Sequence, residues 1–139
     1  MKLFLDTGVL GKVVHPRRYD DVRAWLRGVV VAHECLVSEL CDYELRRELV
    51  RIGASRSLSR LDELGRTLRY VPITTATWRA AAELWAAARR AGRPTADPAG
   101  LDGDVLLAAQ AQEQGATVVT TNPRHFDQLA PATTWELLT

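Results

Sequence analysis

The chain has 139 residues and a mass of 15.4 kDa, the usual size of one domain, and we treat residues 1–139 as a single domain. Hydrophobic residues make up 47% and charged residues 25% of the sequence, which excludes disordered, collagen-like and coiled-coil chains. The formal net charge is only +1, so any site for a polyanion must come from local charge.

Membrane and disulfide chemistry are not expected from this sequence. The longest aliphatic run, residues 29–32 (VVVA), is far too short for a membrane span, and the MKLFLD start reaches an acid before a signal peptide could form. We therefore expect a cytoplasmic protein with no membrane partner. Cys35 and Cys41 are then expected to be buried thiols, and no C-x-x-C pair is present to hold zinc.

The predicted elements begin with a short strand over residues 2–5 (KLFL). A second β-rich stretch over residues 35–37 leads to Ser38, a favourable N-cap for the long amphipathic helix behind it. Residues 70–73 are typical of a brief strand. Between these strands, leucines at helical spacing predict a further helix: Leu58, Leu61, Leu64 and Leu68.

In the second half, apolar spacing from Trp78 to Ala88 predicts a helix that ends at Gly92. Residues 92–100 contain two prolines and predict a loop. The last three predicted elements are a helix over 103–114, a strand over 116–120 (ATVVT) and a short strand over 134–137. Strands that alternate with helices indicate an α/β fold with a mostly parallel sheet covered on both faces, whose site lies outside the carboxyl ends of the strands.

Acidic residues lie at several of these strand and helix ends. Asp6 closes the first strand, where it could cap the next turn or face the crevice. Asp102 and Asp104 open the helix over 103–114, where both could cap it or both reach the site. Glu44 and Glu48 lie on the inward side of the helix after Ser38, and periodicity leaves open which of them is in the site.

The strand over 116–120 ends in polar residues, and there Asn122 either makes an ordinary turn or supplies an amide oxygen to a cation or a water. Carboxylates gathered in one crevice repel each other unless a divalent cation neutralises them. Oxygen ligands without His or Cys select Mg²⁺ or Mn²⁺, and such a cation would support phosphodiester hydrolysis.

Local positive charge is concentrated in the middle of the chain. We interpret this stretch either as the solvated faces of two helices or as a surface for an anion, namely RNA phosphate or the acidic tail of a partner protein. On the second interpretation Arg46, Arg47 and Arg51 bind substrate. The seven arginines of the stretch are Arg46, Arg47, Arg51, Arg56, Arg60, Arg66 and Arg69.

Four motifs, taken in order, resemble the PIN-domain ribonucleases, and most closely the VapC-type toxins of bacterial toxin–antitoxin modules. LFLDT resembles the first acidic strand end of that family, here Asp6, and SELCDYELRRE resembles its second acidic helix, here Glu44 rather than Glu48. DGDVLLAAQA resembles the segment of the third acid, here Asp104 with Asp102 as an extra neighbour. TTNPRHF resembles the strand end where the family carries an Asp or Asn, here Asn122, followed by an aromatic residue.

This resemblance implies a compact three-layer α/β/α sandwich, Mg²⁺- or Mn²⁺-dependent RNA cleavage, a homodimer and a VapB-type antitoxin that inhibits it. It assigns the catalytic roles to Asp6, Glu44, Asp104 and Asn122, and the metal-ligand roles to Asp6, Glu44, Asp104 and Asp102. A neutral Asn122 in place of an acid favours one tightly held cation. The alternative is a PIN-like module that binds RNA or protein without catalysis; loss of the acids would mark it, and they are intact.

Overall fold

A computed structural model of the chain describes residues 1–92 and 98–139. In those residues the chain forms five β-strands, six α-helices and two short 3-10 helical turns, one before and one after the last strand. The strands are β1 (Lys2–Leu5), β2 (Glu34–Ser38), β3 (Arg69–Val71), β4 (Ala116–Val119) and β5 (Ala132–Thr133). The helices are α1 (Thr7–Val14), α2 (Asp20–Ala32), α3 (Glu39–Arg51), α4 (Ser55–Thr67), α5 (Thr75–Arg90) and α6 (Pro98–Gln114).

The strands form one parallel sheet in the order β3-β2-β1-β4-β5. From β1 to β3 the chain moves steadily toward one edge, and then α5 and α6 carry it back to β4 on the other side of β1. Because parallel crossovers are right-handed, α1–α4 cover one face of the sheet and α5–α6 cover the other. The predicted three-layer α/β/α fold is therefore confirmed.

The reversal of direction lies between β1 and β4, which are neighbours in the sheet. At such a switch point the connections leave the two strands on opposite faces and open a crevice at the carboxyl ends. Asp6 follows β1 directly, and Thr120 follows β4. The fold thus brings these two residues, distant in sequence, to the two sides of one crevice.

The core lies on both faces of β1 and β4, whose Leu3, Phe4 and Val118 are fully buried. Gln110 is one of several polar residues that are buried with them. Gln110 of α6 donates through Nε2 to the backbone oxygen of Val71, at 3.1 Å, and its Oε1 accepts from the Ser38 hydroxyl. A buried amide needs such partners, and here they tie α6 to the carboxyl ends of β2 and β3.

Ser38 also caps α3 as predicted, because its Oγ accepts from the backbone N–H of Leu40 at 3.1 Å. The helix before Gly92 and the helix before Gly115 end where expected, with both glycines at positive φ. None of the helices among the described residues has the length and apolarity that crossing a membrane requires.

Two predicted boundaries are wrong. Residues 134–137 do not form a strand: Trp135–Leu137 is a 3-10 helical turn, and the edge strand β5 precedes it. The Trp135 ring packs 6.1 Å from that of Trp25, a tertiary contact that local sequence does not reveal. Helix α6 begins at Pro98 rather than near 103, since proline fits a first helical turn. Residues 93–97 of the predicted loop lie outside the described residues.

Candidate active site

The carboxylate of Asp6 occupies the crevice at the end of β1. Its Oδ1 accepts from the backbone N–H of Thr7 at 2.7 Å and so caps α1. Its Oδ2 accepts from the hydroxyl of Thr120 at 2.7 Å, across the switch point. Asp6 therefore caps α1 and also faces the crevice. The sequence had offered these two roles as alternatives, and the structure combines them.

Glu44 is the second carboxylate of the crevice. The Thr7 hydroxyl donates to its Oε1 at 2.8 Å, so one threonine contacts both acids, through its backbone N–H and its side chain. Glu48, one turn further along α3, instead forms an ion pair with Arg51 at the surface, where its side chain is 54% exposed. Of the two glutamates on this side of α3, the structure brings Glu44 to Asp6.

Gly103 of α6 lies directly against Glu44. A Cβ atom at this glycine would lie 3.1 Å from Oε2 of Glu44, closer than ordinary van der Waals contact. The absence of a side chain at 103 is therefore what lets α6 approach the carboxylate. Asp104, the third predicted acid, is the next residue of α6.

Asp104 is connected to the other side of the crevice through the turn after β4. Its Oδ2 is buried and lies 3.9 Å from Nδ1 of His125. The other ring nitrogen of His125 lies 2.9 Å from the side-chain nitrogen of Asn122, whose backbone N–H donates to Thr120 Oγ1 at 3.2 Å. A run of polar contacts thus leads from Asp104 to Thr120 and so to Asp6.

Cys41 forms the buried floor below the two linked acids. Burial raises the pKa of its thiol far above the ordinary value, and the negative charges of Asp6 and Glu44 raise it further. The predicted absence of a disulfide agrees with this environment, since both cysteines are free and buried. The thiol stays neutral and adds no charge to the crevice.

Asp102, the fourth predicted acid, has a different environment. It is exposed and lines a groove between α5 and α6, together with Trp78, Trp85 and Val105. It therefore stands at the mouth of an apolar groove, whereas Asp104 faces His125 in the turn after β4. The sequence could not separate these two acids, because both begin the same helix.

The chemistry of the donor set suits a hard cation. Among the described residues, no lysine or arginine forms an ion pair with Asp6 or Glu44. The described part of the chain also has no group of three His, Cys, Asp or Glu side chains drawn together tightly enough to hold a metal. Mg²⁺ needs few protein carboxylates because it keeps several waters, and paired carboxylates without a counter-charge fit that requirement.

The three predicted substrate arginines lie on α3 in different surroundings. Arg46 forms ion pairs with Asp42 and Asp62, at 2.9 and 2.8 Å, and so joins α3 to α4. Those partners raise the pKa of the Arg46 guanidinium, and the hydrogen bonds that it donates to Asp42 raise it most. Arg51 is engaged by Glu48.

Arg47, the third of these arginines, contacts an aromatic ring. Its guanidinium lies 5.1 Å from the ring centroid of Tyr43, whose residue is 58% exposed. Both residues are exposed on α3 within one turn of Glu44. A cation and an aromatic face therefore lie side by side next to the crevice.

Sequence reasoning missed four residues that shape the site: Thr7, Gly103, Thr120 and His125. Thr7 and Thr120 stand at the carboxyl ends of neighbouring strands, so polar residues at strand ends were a usable signal. The closeness of Gly103 to Glu44 and of His125 to Asn122 depends on packing between elements, and no local pattern marks it.

The sequence matches the family model described as the PIN domain over residues 3–131. No curated protein matches the chain in sequence. Solved structures of several proteins share its fold. VapBC2 from Rickettsia felis bound to a DNA fragment from its promoter has a TM-score of 0.80 and 19% identity, over 97% of this chain and 99% of the matched chain.

DNA-bound VapBC from Salmonella typhimurium has a TM-score of 0.76 and 20% identity, over 97% of this chain and 98% of the matched chain. FitAcB from Neisseria gonorrhoeae has a TM-score of 0.74 and 20% identity, over 98% of this chain and 99% of the matched chain. The similarity extends along nearly the whole chain in each case, so these structures share the complete fold of this chain, both the sheet and the helices.

Proposed function

The chain belongs to the PIN domain family, and from this membership and the geometry of its crevice we propose that it is a metal-dependent endoribonuclease. Its reaction is the hydrolysis of RNA phosphodiester bonds. The carrying observation is that Thr7 holds Asp6 and Glu44 together at the switch point of the sheet, through hydrogen bonds of 2.7 and 2.8 Å. Two fixed carboxylates without a neighbouring cation are suited to bind a divalent metal ion.

Asp6 and Glu44 are the residues that would hold Mg²⁺ or Mn²⁺, and Asp104 is the predicted third ligand. The bound cation would lower the pKa of a water and polarise the phosphoryl oxygens. The hydrogen bonds from Thr7 and Thr120 fix the carboxylate oxygens before substrate arrives, so little reorganisation is needed at the reaction. Asn122 lies at the rim, where we assign it to orienting water or phosphate, and Asp102 remains a predicted additional ligand.

We also propose that the protein is the toxin of a VapBC-type pair, inhibited by a VapB-type antitoxin and acting as a homodimer. The support is the fold shared with VapBC from two organisms and with FitAcB, over nearly the full length of each matched chain. Co-expression with the product of a neighbouring reading frame, followed by copurification and assay of RNA cleavage, tests this assignment.

Substitution of Asp6 by Asn tests the proposed activity. The variant retains an oxygen that caps α1, so it should fold, and it should gain stability because repulsion with Glu44 is relieved. RNA cleavage in Mg²⁺ or Mn²⁺ should fall by about a hundredfold or more, because a metal ligand and its charge are lost. The measurement is the rate of cleavage of total RNA with each metal or with EDTA, with cut sites mapped.

Two comparisons make this experiment decisive. Asp104→Asn should lose cleavage as Asp6→Asn does, whereas Asp21→Asn, on the exposed first turn of α2, should cleave as the wild type does. Asp102→Asn shows whether that acid is a ligand. Cleavage that survives in pure Asp6→Asn, or that persists in EDTA, would overturn the assignment and leave a non-catalytic binding module.

For the substrate, we propose that Arg47 and Tyr43 contact RNA beside the crevice. An exposed arginine suits phosphate and an exposed aromatic ring suits an unpaired base. Arg47→Gln should lower the slope of log affinity against log salt by about 0.7, the value for one contact with single-stranded RNA. Arg66→Gln, which removes a surface arginine already paired with Glu63, is the matched control; equal slopes in the two variants would refute the contact.

A further inference from the structure

His125 lies on the turn after β4, close to Asn122 and Asp104. The residue belongs to the 3-10 helix Pro123–Phe126, which follows β4. The backbone N–H of His125 donates to the oxygen of Asn122 at 3.2 Å, and the next residue, Phe126, is buried in the core. Its side chain is 38% exposed and lies between Asn122 and Asp104. The turn therefore places the ring between these two side chains.

The contact with Asn122 bears on which ring nitrogen carries the proton. Nε2 lies 2.9 Å from the side-chain nitrogen of Asn122, and with the amide in this orientation Nε2 accepts. A neutral imidazole with that contact carries its proton on Nδ1. That nitrogen faces Oδ2 of Asp104 at 3.9 Å, a separation that one bridging water or a small closure of the crevice spans.

We propose that His125 is a positioning residue: its ring connects the Asn122 amide to the Asp104 carboxylate and holds Asp104 in place for the divalent cation. This inference rests on the proposed function. Asp104 belongs to α6, and His125 belongs to the turn after β4, so the connection joins two separate elements. Residues that orient metal ligands in this way affect metal affinity although they do not touch the metal.

The first test needs no metal and no substrate. In the metal-free full chain labelled with ¹⁵N, long-range proton–nitrogen correlation spectra at neutral pH should show His125 as the Nδ1-protonated tautomer. Free histidine side chains favour the other tautomer, so the signature is specific to this environment. In Asn122→Ala the preference for Nδ1 should weaken. A ring protonated on Nε2 in the wild type would overturn the proposal.

The second test separates the two nitrogens by isosteric substitution. The side-chain nitrogen of asparagine occupies the place of Nδ1, and that of glutamine occupies the place of Nε2. His125→Asn should therefore bind Mn²⁺ nearly as the wild type does, whereas His125→Gln and His125→Ala should bind about tenfold more weakly. The measurement is free Mn²⁺ by electron paramagnetic resonance, with melting temperatures to show that each variant is folded.

The control for removal of a histidine is His33→Ala. His33 contacts the amino group of Met1 and the backbone oxygen of Thr139, far from the carboxyl ends of the strands, so Mn²⁺ affinity should not change. Equal affinity in the wild type and all three His125 variants would overturn this inference alone. Failure of the wild type to bind Mn²⁺, or equal binding by Asp6→Asn, would overturn the proposed metal site together with it.

Discussion

At the scale of single residues, Thr7 is the residue that contacts both Asp6 and Glu44. Its backbone N–H donates to Asp6 and its hydroxyl donates to Glu44, so one residue holds the two carboxylates near each other. The two charges remain close without a cation because each has a hydrogen-bond donor. This makes Thr7 the position where the geometry of the acids can be disturbed without removing either acid.

Replacement of Thr7 by Val is expected to reduce cleavage by about tenfold, because Glu44 loses the donor that orients it while shape and β-branching are preserved. The free energy of unfolding should fall by only about 1 kcal/mol, the usual contribution of a hydrogen bond. Cleavage rates and urea unfolding curves, measured on the same preparations, check both numbers.

Thr7→Ser is the control for this substitution, since it retains the hydroxyl and should retain most of the activity. If Thr7→Val cleaves RNA as fast as the wild type does, the hydrogen bond to Glu44 has no role in the reaction. A loss of activity in both variants would instead point to packing of the threonine methyl group.

The sequence indicated which acids lie near the strand ends, but it did not indicate the hydrogen bonds that hold them. Asp6 and Asn122 were marked by their positions at strand ends, which follow from the parallel topology. The choice of Glu44 over Glu48 needed the family resemblance, because both lie on one side of α3; the ion pair of Glu48 with Arg51 separates them only in three dimensions. The link from His125 to Asn122 has no counterpart in any local pattern.

At the scale of elements, the approach of α6 to α3 is the critical contact of the site. Helix periodicity predicted that both helices exist, and Ser38 marked the start of α3. Their relative placement depends on two features. Gln110 connects α6 to β3 and to Ser38, and Gly103 has no side chain to keep α6 away from Glu44. Such contacts join distant parts of the chain, so they could not be predicted from spacing along the sequence.

Substitution of Gly103 by Ala should separate stability from activity. Alanine in a helix is favoured over glycine by roughly 0.5–1 kcal/mol, so the protein should be as stable as the wild type or more stable. The added Cβ would lie 3.1 Å from Glu44 Oε2 and should displace that carboxylate by a few tenths of an ångström. Cleavage should fall by about tenfold, because small misplacements of catalytic groups are costly.

The matched control is Gly28→Ala, at an exposed position of α2 where an added Cβ would meet nothing within 4 Å. It should raise the melting temperature and leave cleavage unchanged. Thermal unfolding and RNA cleavage of both variants are the measurements. Full activity in Gly103→Ala would show that the contact between α6 and Glu44 is not needed for the reaction.

At the scale of the whole molecule, charge and apolar surface are divided between different faces. The near-zero net charge conceals an arginine-rich region on α3 and α4, where several of the cations are neutralised by ion pairs. Helix α5, on the opposite face of the sheet, exposes Trp78 and Trp85. Sequence periodicity left open whether these tryptophans pack in the core or across a dimer, and their exposure excludes the core.

The exposed face of α5 is the place where we expect the proposed homodimer to form. Trp78 is 56% and Trp85 40% exposed, and both line an apolar groove that Ala82 and Leu106 continue. Buried tryptophans commonly contribute about 2 kcal/mol or more to an interface, so Trp78→Lys should weaken self-association by about thirtyfold.

Sedimentation velocity across a concentration series measures this self-association. The control is Val31→Lys, a change at an 86% exposed residue of α2. A wild-type chain that sediments as a monomer at high concentration would contradict the dimer, and a Trp78→Lys variant that associates as strongly as the wild type would place the contact elsewhere on the surface.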